Sequence, residues 1–202
     1  MLSTDFVYLA SKSPRRAELL RQIGVRFELL LDPDEHAAEA LEHTRQGETP
    51  AAYVVRVTLA KAQAAAARLA ASKLPGAPII TADTTVVLGS RMLGKPATAA
   101  EAVAMLSALS GRTHSVLTAV ALARGGRIRH LVSRSRVRFG RITGAEIERY
   151  VAGGEPMDKA GAYAVQGEAA RFIRSIAGSY SGIMGLPLYE TARLLRDTGT
   201  GR

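Results

Sequence analysis

The sequence predicts an α/β fold built around a mixed sheet. Strand-like apolar runs alternate with helix-patterned segments along its 202 residues, the arrangement that buries a sheet under helices. Two long alternating runs flank Gly125-Gly126, a hairpin signal that argues against a purely parallel sheet. Several helical segments also open on recognisable caps.

Taken in order, Phe6 to Ala10 is an unbroken apolar strand. Ser13 and Pro14 follow as N-cap and first helical residue, where proline's missing N–H costs nothing. That helix reads from Arg15 to about Ile23, with Ala17, Leu20 and Ile23 at helical spacing and Gly24 to end it. Residues 27–31 read as a short strand, and the polar, acidic stretch 32–47 as a loop or a frayed helix. Thr49-Pro50 opens the longest helix, to about Lys73, with an alanine-rich middle of high helix propensity. Pro75-Gly76 closes it. Ile79 to Ala82 and Thr85 to Leu88 are strand-like and joined through Asp83, and Arg91-Met92-Leu93 is the return arm of a turn.

Thr98 with Glu101 makes a capping box for a helix running to Leu109. Residues 113–123 and 128–139 form the hairpin arms, and alternation puts Arg134, Arg136 and Arg138 on one face. Thr143 with Glu146 is a second capping box, for a helix ending near Gly153-Gly154. From Pro156 the chain turns irregular and glycine-rich, until a last helix over 187–196 and a loose tail over 197–202.

At 47% apolar and 22% charged residues the chain has an ordinary globular composition, which excludes wholesale disorder. The absence of cysteine excludes a disulfide scaffold, a thiol nucleophile and thiolate metal sites, and fits a reducing compartment. No apolar run nears the roughly 20 residues of a membrane span, and the first seven residues lack the marks of a signal peptide. The expectation is a soluble, cytoplasmic protein with no membrane contact. Lys+Arg 27 against Asp+Glu 18 leaves a net charge of +9, which suits polyanions, either nucleic acid or phosphorylated small molecules. With 5% aromatics and no tryptophan there is little on which to stack single strands. A solvated basic face is therefore preferred to nucleic-acid binding.

Several standard signatures fail. His36, His43, His114 and His130 are scattered and read as structural or surface residues. Gly89 to Lys95 spells the first seven positions of a P-loop, but Pro96 stands where the motif needs a hydroxyl for Mg2+. Lys95 survives as a phosphate-binding candidate. Ser11-Lys12-Ser13-Pro14-Arg15-Arg16 brings hydroxyls, helix amides and two guanidiniums to one small volume, which suits an anion; a plain capped helix with solvated arginines fits the same pattern. Asp83, after an apolar strand, could hold Mg2+ or take a proton from water, although on pattern alone a turn aspartate is the commoner outcome. The stretch 155–167 mixes Asp158, Lys159, Tyr163 and Gln166 among small residues, and Gln166 could read a base edge; a loop packed on the sheet is the alternative.

These clusters, in this order, resemble the Maf family of nucleotide pyrophosphatases, once described as septum-formation inhibitors. The matching stretches are residues 9–16, Leu59-Ala60-Lys61-Ala62, Ala82-Asp83-Thr84, Gly94-Lys95-Pro96, residues 109–114, Pro156 to Tyr163 with Gln166-Gly167, and Gly185-Leu186-Pro187-Leu188. The resemblance implies a single domain over 1–202, an α/β sandwich of the Maf and inosine-triphosphatase kind around an elongated mixed sheet, with two lobes flanking one cleft, and a homodimer. It implies hydrolysis of a nucleoside triphosphate to the monophosphate and pyrophosphate, a house-cleaning activity, with a divalent metal, Mg2+ or Mn2+. Its dTTP- and UTP-directed branch is the better match, and Arg15, Thr84 and Gln166 stand at positions associated with base choice. Carried over residue by residue, Ser13, Arg16, Lys61, Lys95 and Lys159 become substrate contacts. Asp83 becomes the catalytic residue and a metal ligand, with Glu35 of Asp34-Glu35 as a second ligand. The rival expectations are a basic regulator that binds nucleic acid or a division protein, and a pyrophosphatase for inosine-type purines.

Overall fold

The computed structural model describes residues 6–34, 36 and 40–196. Readings of the first five residues, of Glu35 and of the tail 197–202 lie outside the described residues. Seven strands, β1 Val7–Leu9, β2 Phe27–Leu29, β3 Ile79–Leu88, β4 Arg91–Leu93, β5 Thr113–Arg124, β6 Arg127–Phe139 and β7 Ile173–Ala177, form one sheet in the order β2-β1-β3-β5-β6-β7, with β4 paired to β3. The sheet is mixed: β1 is parallel to β2 and β3, while β4 runs antiparallel to β3 and β7 to β6. Gly125 (φ 55°) and Gly126 (φ 76°) turn the hairpin, since a two-residue turn matching the strand twist needs positive φ at both positions.

The helices used below are α1 Pro14–Gln22, α2 Pro50–Ala71, α3 Ala99–Leu109, α4 Gly144–Ala152, α5 Tyr180–Met184 and α6 Leu188–Arg196. Thr49 caps α2 by accepting the Ala52 N–H, and Thr143 with Glu146 forms the full reciprocal box at α4. Residues 89–90 turn directly into β4, so the P-loop spelling covers a hairpin rather than a phosphate cradle.

Local expectations fail in five places. Asp83 does not join two strands; it lies inside the ten-residue β3, 6% exposed, because a partner for its charge arrives from α2. Ser13 occupies the N-cap position, yet its hydroxyl makes no capping bond to α1. Ile23 falls beyond the last turn of α1 and stays 36% exposed, while Leu19 is buried in the helix. At α3 the box is half-made: Thr98 takes the Glu101 N–H, but the glutamate reaches the Ala97 N–H instead of that of Thr98. Finally, β7 and α5 arise in the stretch expected to be irregular. Pairing with β6 makes β7, and such a long-range partner leaves little trace in five residues.

The chain divides into two compact units. One takes in the chain to Asp83, Thr118–Val132 and the chain from Gly185; the other is Thr84–Leu117 with Ser133–Met184. In the first unit, Ala62 and Ala65 of α2 pack with Tyr8, Leu30, Ile79, Ala121 and Ala123. These small side chains let the helix lie close on the strands. In the second, Val86, Leu106, Leu109, Phe139, Tyr150, Tyr163 and Phe172 share one core. Alternation along β6 is as expected there: Ser133, Ser135, Val137 and Phe139 are buried and Arg134, Arg136 and Arg138 exposed.

Candidate active site

The register of α2 on β3 sets the first cluster. Thr81 and Thr58 are fully buried, and the Thr81 hydroxyl donates to the Thr58 carbonyl at 3.1 Å. Two residues along a strand share a face with Asp83, and three along a helix bring the next turn to Lys61. One hydrogen bond thus fixes a meeting one step further on: Lys61 Nζ donates to Asp83 Oδ1 at 2.7 Å. A carboxylate in a buried strand is tolerable when it is paired. The same ammonium donates to Glu42 Oε1, also at 2.7 Å. Two hard carboxylate donors therefore bracket one cation position.

Beside them stands the front of α1. Arg16 donates from Nε to the Gly185 carbonyl at 2.8 Å and from Nη1 to Ser11 Oγ at 3.1 Å. Burial lowers the pKa of its guanidinium, an effect that the charges of Asp83 and Glu42 oppose and that of Arg15 reinforces. An arginine stays protonated through such a shift, so a partly buried positive charge stands here. Ser11 Oγ also accepts the Ser13 N–H at 3.2 Å. The Ser13 hydroxyl leaves the first-turn amides of α1 uncapped, and those amides with the helix dipole favour an anion. Arg15 is partly buried.

The second unit holds the other expected residues. Thr84 follows Asp83 on β3 and is partly buried, and Lys95 is exposed just past β4. The Gly161 N–H donates to the Gly94 carbonyl at 3.0 Å, which ties the 158–162 segment to the residue preceding Lys95. Lys159 Nζ pairs with Asp158 Oδ1 at 2.8 Å and donates to the Met157 carbonyl at 3.2 Å. Gln166 is exposed; its neighbourhood is set by Glu155, which accepts from the Tyr150 hydroxyl and the Glu168 N–H. His114, 2% exposed, bonds the Tyr163 hydroxyl through Nε2 at 2.8 Å, and both rings meet Phe139 edge to face. Burial pushes His114 down to about 4, so it is neutral near pH 7 and structural, as the sequence suggests.

Glu35 lies outside the described residues. The acid found beside Lys61 is Glu42, which sequence reasoning missed together with the Gly185 carbonyl as an acceptor for Arg16, whereas the Ser11 hydroxyl lay in the cluster already singled out. Only the tertiary partners of Glu42 mark it out, whereas Gly185 already stood in a matching stretch. Among the described residues no group of three or more His, Cys, Asp or Glu could hold a metal. Asp83 and Glu42, here shared by the Lys61 ammonium, are oxygen donors of the type a hard divalent cation would take together with substrate phosphates.

The family model of Maf-like proteins matches residues 6–198, over this α/β sheet and its Lys61–Asp83 pair, and the chain belongs to that family. Among its relatives, a dTTP/UTP pyrophosphatase of Cupriavidus pinatubonensis is 61% identical over 193 residues, covering 96% of each chain. One from Ralstonia nicotianae is 61% identical over 94% of this chain and 92% of its own. Another, from Burkholderia pseudomallei, is 59% identical over 96% of this chain and 94% of its own. No helix among the described residues is long and apolar enough to cross a membrane.

Proposed function

We propose that this chain is a nucleoside triphosphate pyrophosphatase that hydrolyses dTTP and UTP to the monophosphate and pyrophosphate. The observation that carries this reading is the Lys61–Asp83 pair on β3, in a chain about 60% identical to proteins of that name. A triphosphate brings about four negative charges, too many to desolvate without counter-charge. Arg16, Lys61, the Ser13 hydroxyl and the amides of α1 supply it in the first unit. Parts for Lys95 and Lys159 rest on the family resemblance, as do parts for Arg15, Thr84 and Gln166 in base choice.

Asp83 orients the attacking water and accepts its proton as oxygen bonds to the α-phosphorus. The α–β anhydride bond breaks, and pyrophosphate leaves with its electrons. A divalent ion held by Asp83 would neutralise phosphate charge; Glu42 is a second carboxylate that shares Lys61 with it, and Glu35 keeps its part from the resemblance alone. A homodimer and a cytoplasmic location belong to the same reading and rest on that resemblance too.

The test is a panel of UTP, dTTP, CTP, GTP and ITP, scored for pyrophosphate release with and without Mg2+. UTP and dTTP lead, and Asp83→Asn loses at least about 100-fold in kcat. A folded Asp83→Asn enzyme as fast as wild type overturns the reading. Preference for ITP would make it a purine house-cleaner, and salt-sensitive DNA binding that survives Asp83→Asn would favour a regulator.

A further inference from the structure

Among the described residues, 41–49 are turns and irregular backbone, with no element of their own to aim the Glu42 side chain. Helix α2 aims it. The Arg56 guanidinium spreads over four acceptors: Nε reaches Glu48 Oε1 at 2.6 Å, and Nη2 reaches Glu48 Oε2 and the His43 carbonyl, both at 2.8 Å. Nη1 reaches the Leu41 carbonyl at 3.2 Å. The Tyr53 hydroxyl donates to the Glu42 carbonyl at 2.9 Å, and the Arg56 guanidinium lies over the Tyr53 ring. Three successive carbonyls, 41 to 43, are therefore held by side chains of α2. Tyr53 and Arg56 are neighbours three residues apart, and Lys61 follows on the same 22-residue helix, so clamp and ammonium are built on one element.

We infer that Arg56, Tyr53 and Glu48 form a clamp whose output is the position of Glu42, and that Glu42 is a positioning residue for Lys61. This rests on the reading of Asp83 as the group that handles water. An ammonium has three donors. With Glu42 and Asp83 each taking one, the lysine stays stretched between two carboxylates, it engages Asp83 through Oδ1, and among the described residues no bond takes its third donor, which can meet phosphate. Without Glu42 the flexible lysine stem, already on Asp83 Oδ1, is free to swing across and engage both carboxylate oxygens, which occupies the group that should aim water. Displacements of about 1 Å in such groups cost up to ~100-fold in rate.

The experiment compares Glu42→Ala, Arg56→Ala and the double variant with Asp83→Asn, measuring kcat and KM for UTP alongside thermal melts. Glu42→Ala lowers kcat roughly 10-fold and moves KM less than about 3-fold. Arg56→Ala reproduces that kinetic change, and the double variant is no slower than Glu42→Ala, because both remove one device. If Arg56→Ala does not fold, Tyr53→Phe, which removes only the bond to the Glu42 carbonyl, shows the same non-additivity at smaller amplitude. A merely structural clamp lowers the melting temperature and leaves kcat alone. Wild-type kcat in Glu42→Ala, or effects that multiply in the double variant, overturns the inference. Should Asp83→Asn itself stay fully active, the proposed function falls, a result distinguishable from either of these.

Discussion

Residues 40–48 and 157–163 are both irregular, and both present a charged side chain of interest, Glu42 and Lys159. They are held by opposite means. The first is tied to α2 by polar bonds, the Arg56 fork and the Tyr53 hydroxyl. The second carries three residues in the left-handed region, Asp158 (φ 64°), Gly161 (φ 72°) and Ala162 (φ 61°), where a residue with a Cβ gives up roughly 1–2 kcal/mol. It persists because Ala162 is fully buried, Tyr163 bonds His114, and Gly161 is pressed against Val86. A polar fork can hold a relaxed loop, whereas a strained backbone needs a core closing over it.

The largest expected effect tests that contrast with two glycines. A Cβ on Gly161 would sit 2.9 Å from both Val86 Cγ atoms, at φ 72°; on Gly47, at φ 73°, it would meet nothing within 4 Å. Gly161→Ala should cost about 2–4 kcal/mol in urea unfolding, from overpacking and backbone strain together. Gly47→Ala should cost only the backbone part, about 1–2 kcal/mol. Equal losses would show that packing does not hold the second segment.

Next comes acid. His114 is pushed down to about 4 by burial, against roughly 6.5 in an unfolded chain. Below pH 6.5 the unfolded chain takes up a proton that the folded chain refuses. The stability intact above that pH drains away as pH falls towards 4, by up to about 3 kcal/mol in all. Chemical unfolding at pH 7 and pH 4 should show this loss in wild type and much less of it in His114→Gln. Parallel losses in the two proteins would assign the acid sensitivity elsewhere.

The smallest effect concerns salt. Glu48 is held below its ordinary range chiefly by its hydrogen bond to Arg56, a charged contact that ions weaken. Limited proteolysis should cut within 40–48 faster at 1 M NaCl than at 0.1 M, and leave cleavage within 157–163 unchanged. Equal acceleration at both would erase the distinction.

Much of the frame was legible in residue order. Thr49-Pro50, Thr143 with Glu146, and Gly125-Gly126 marked the start of α2, the box at α4 and the hairpin tip, because caps and tight turns are decided by a few neighbouring residues. Of the site, Lys61, Asp83 and Arg16 were nameable from short stretches. The same stretches misplaced Asp83 at a strand junction, since a lone carboxylate reads as a break until its lysine is in view. β7 left little to read, because its order comes from β6.

By itself, then, the sequence determined the α/β alternation, the caps of α2 and α4 and the cationic front of α1, all consequences of contacts within a turn or two of chain. Only the tertiary structure decided that Glu42 shares Lys61 with Asp83, that Arg56 aims the segment bearing it, and that His114 stays neutral beside Tyr163. The physical reason is range: a charge or a ring acquires its partner, and thereby its protonation and its use, only when distant stretches of chain exclude water from around it.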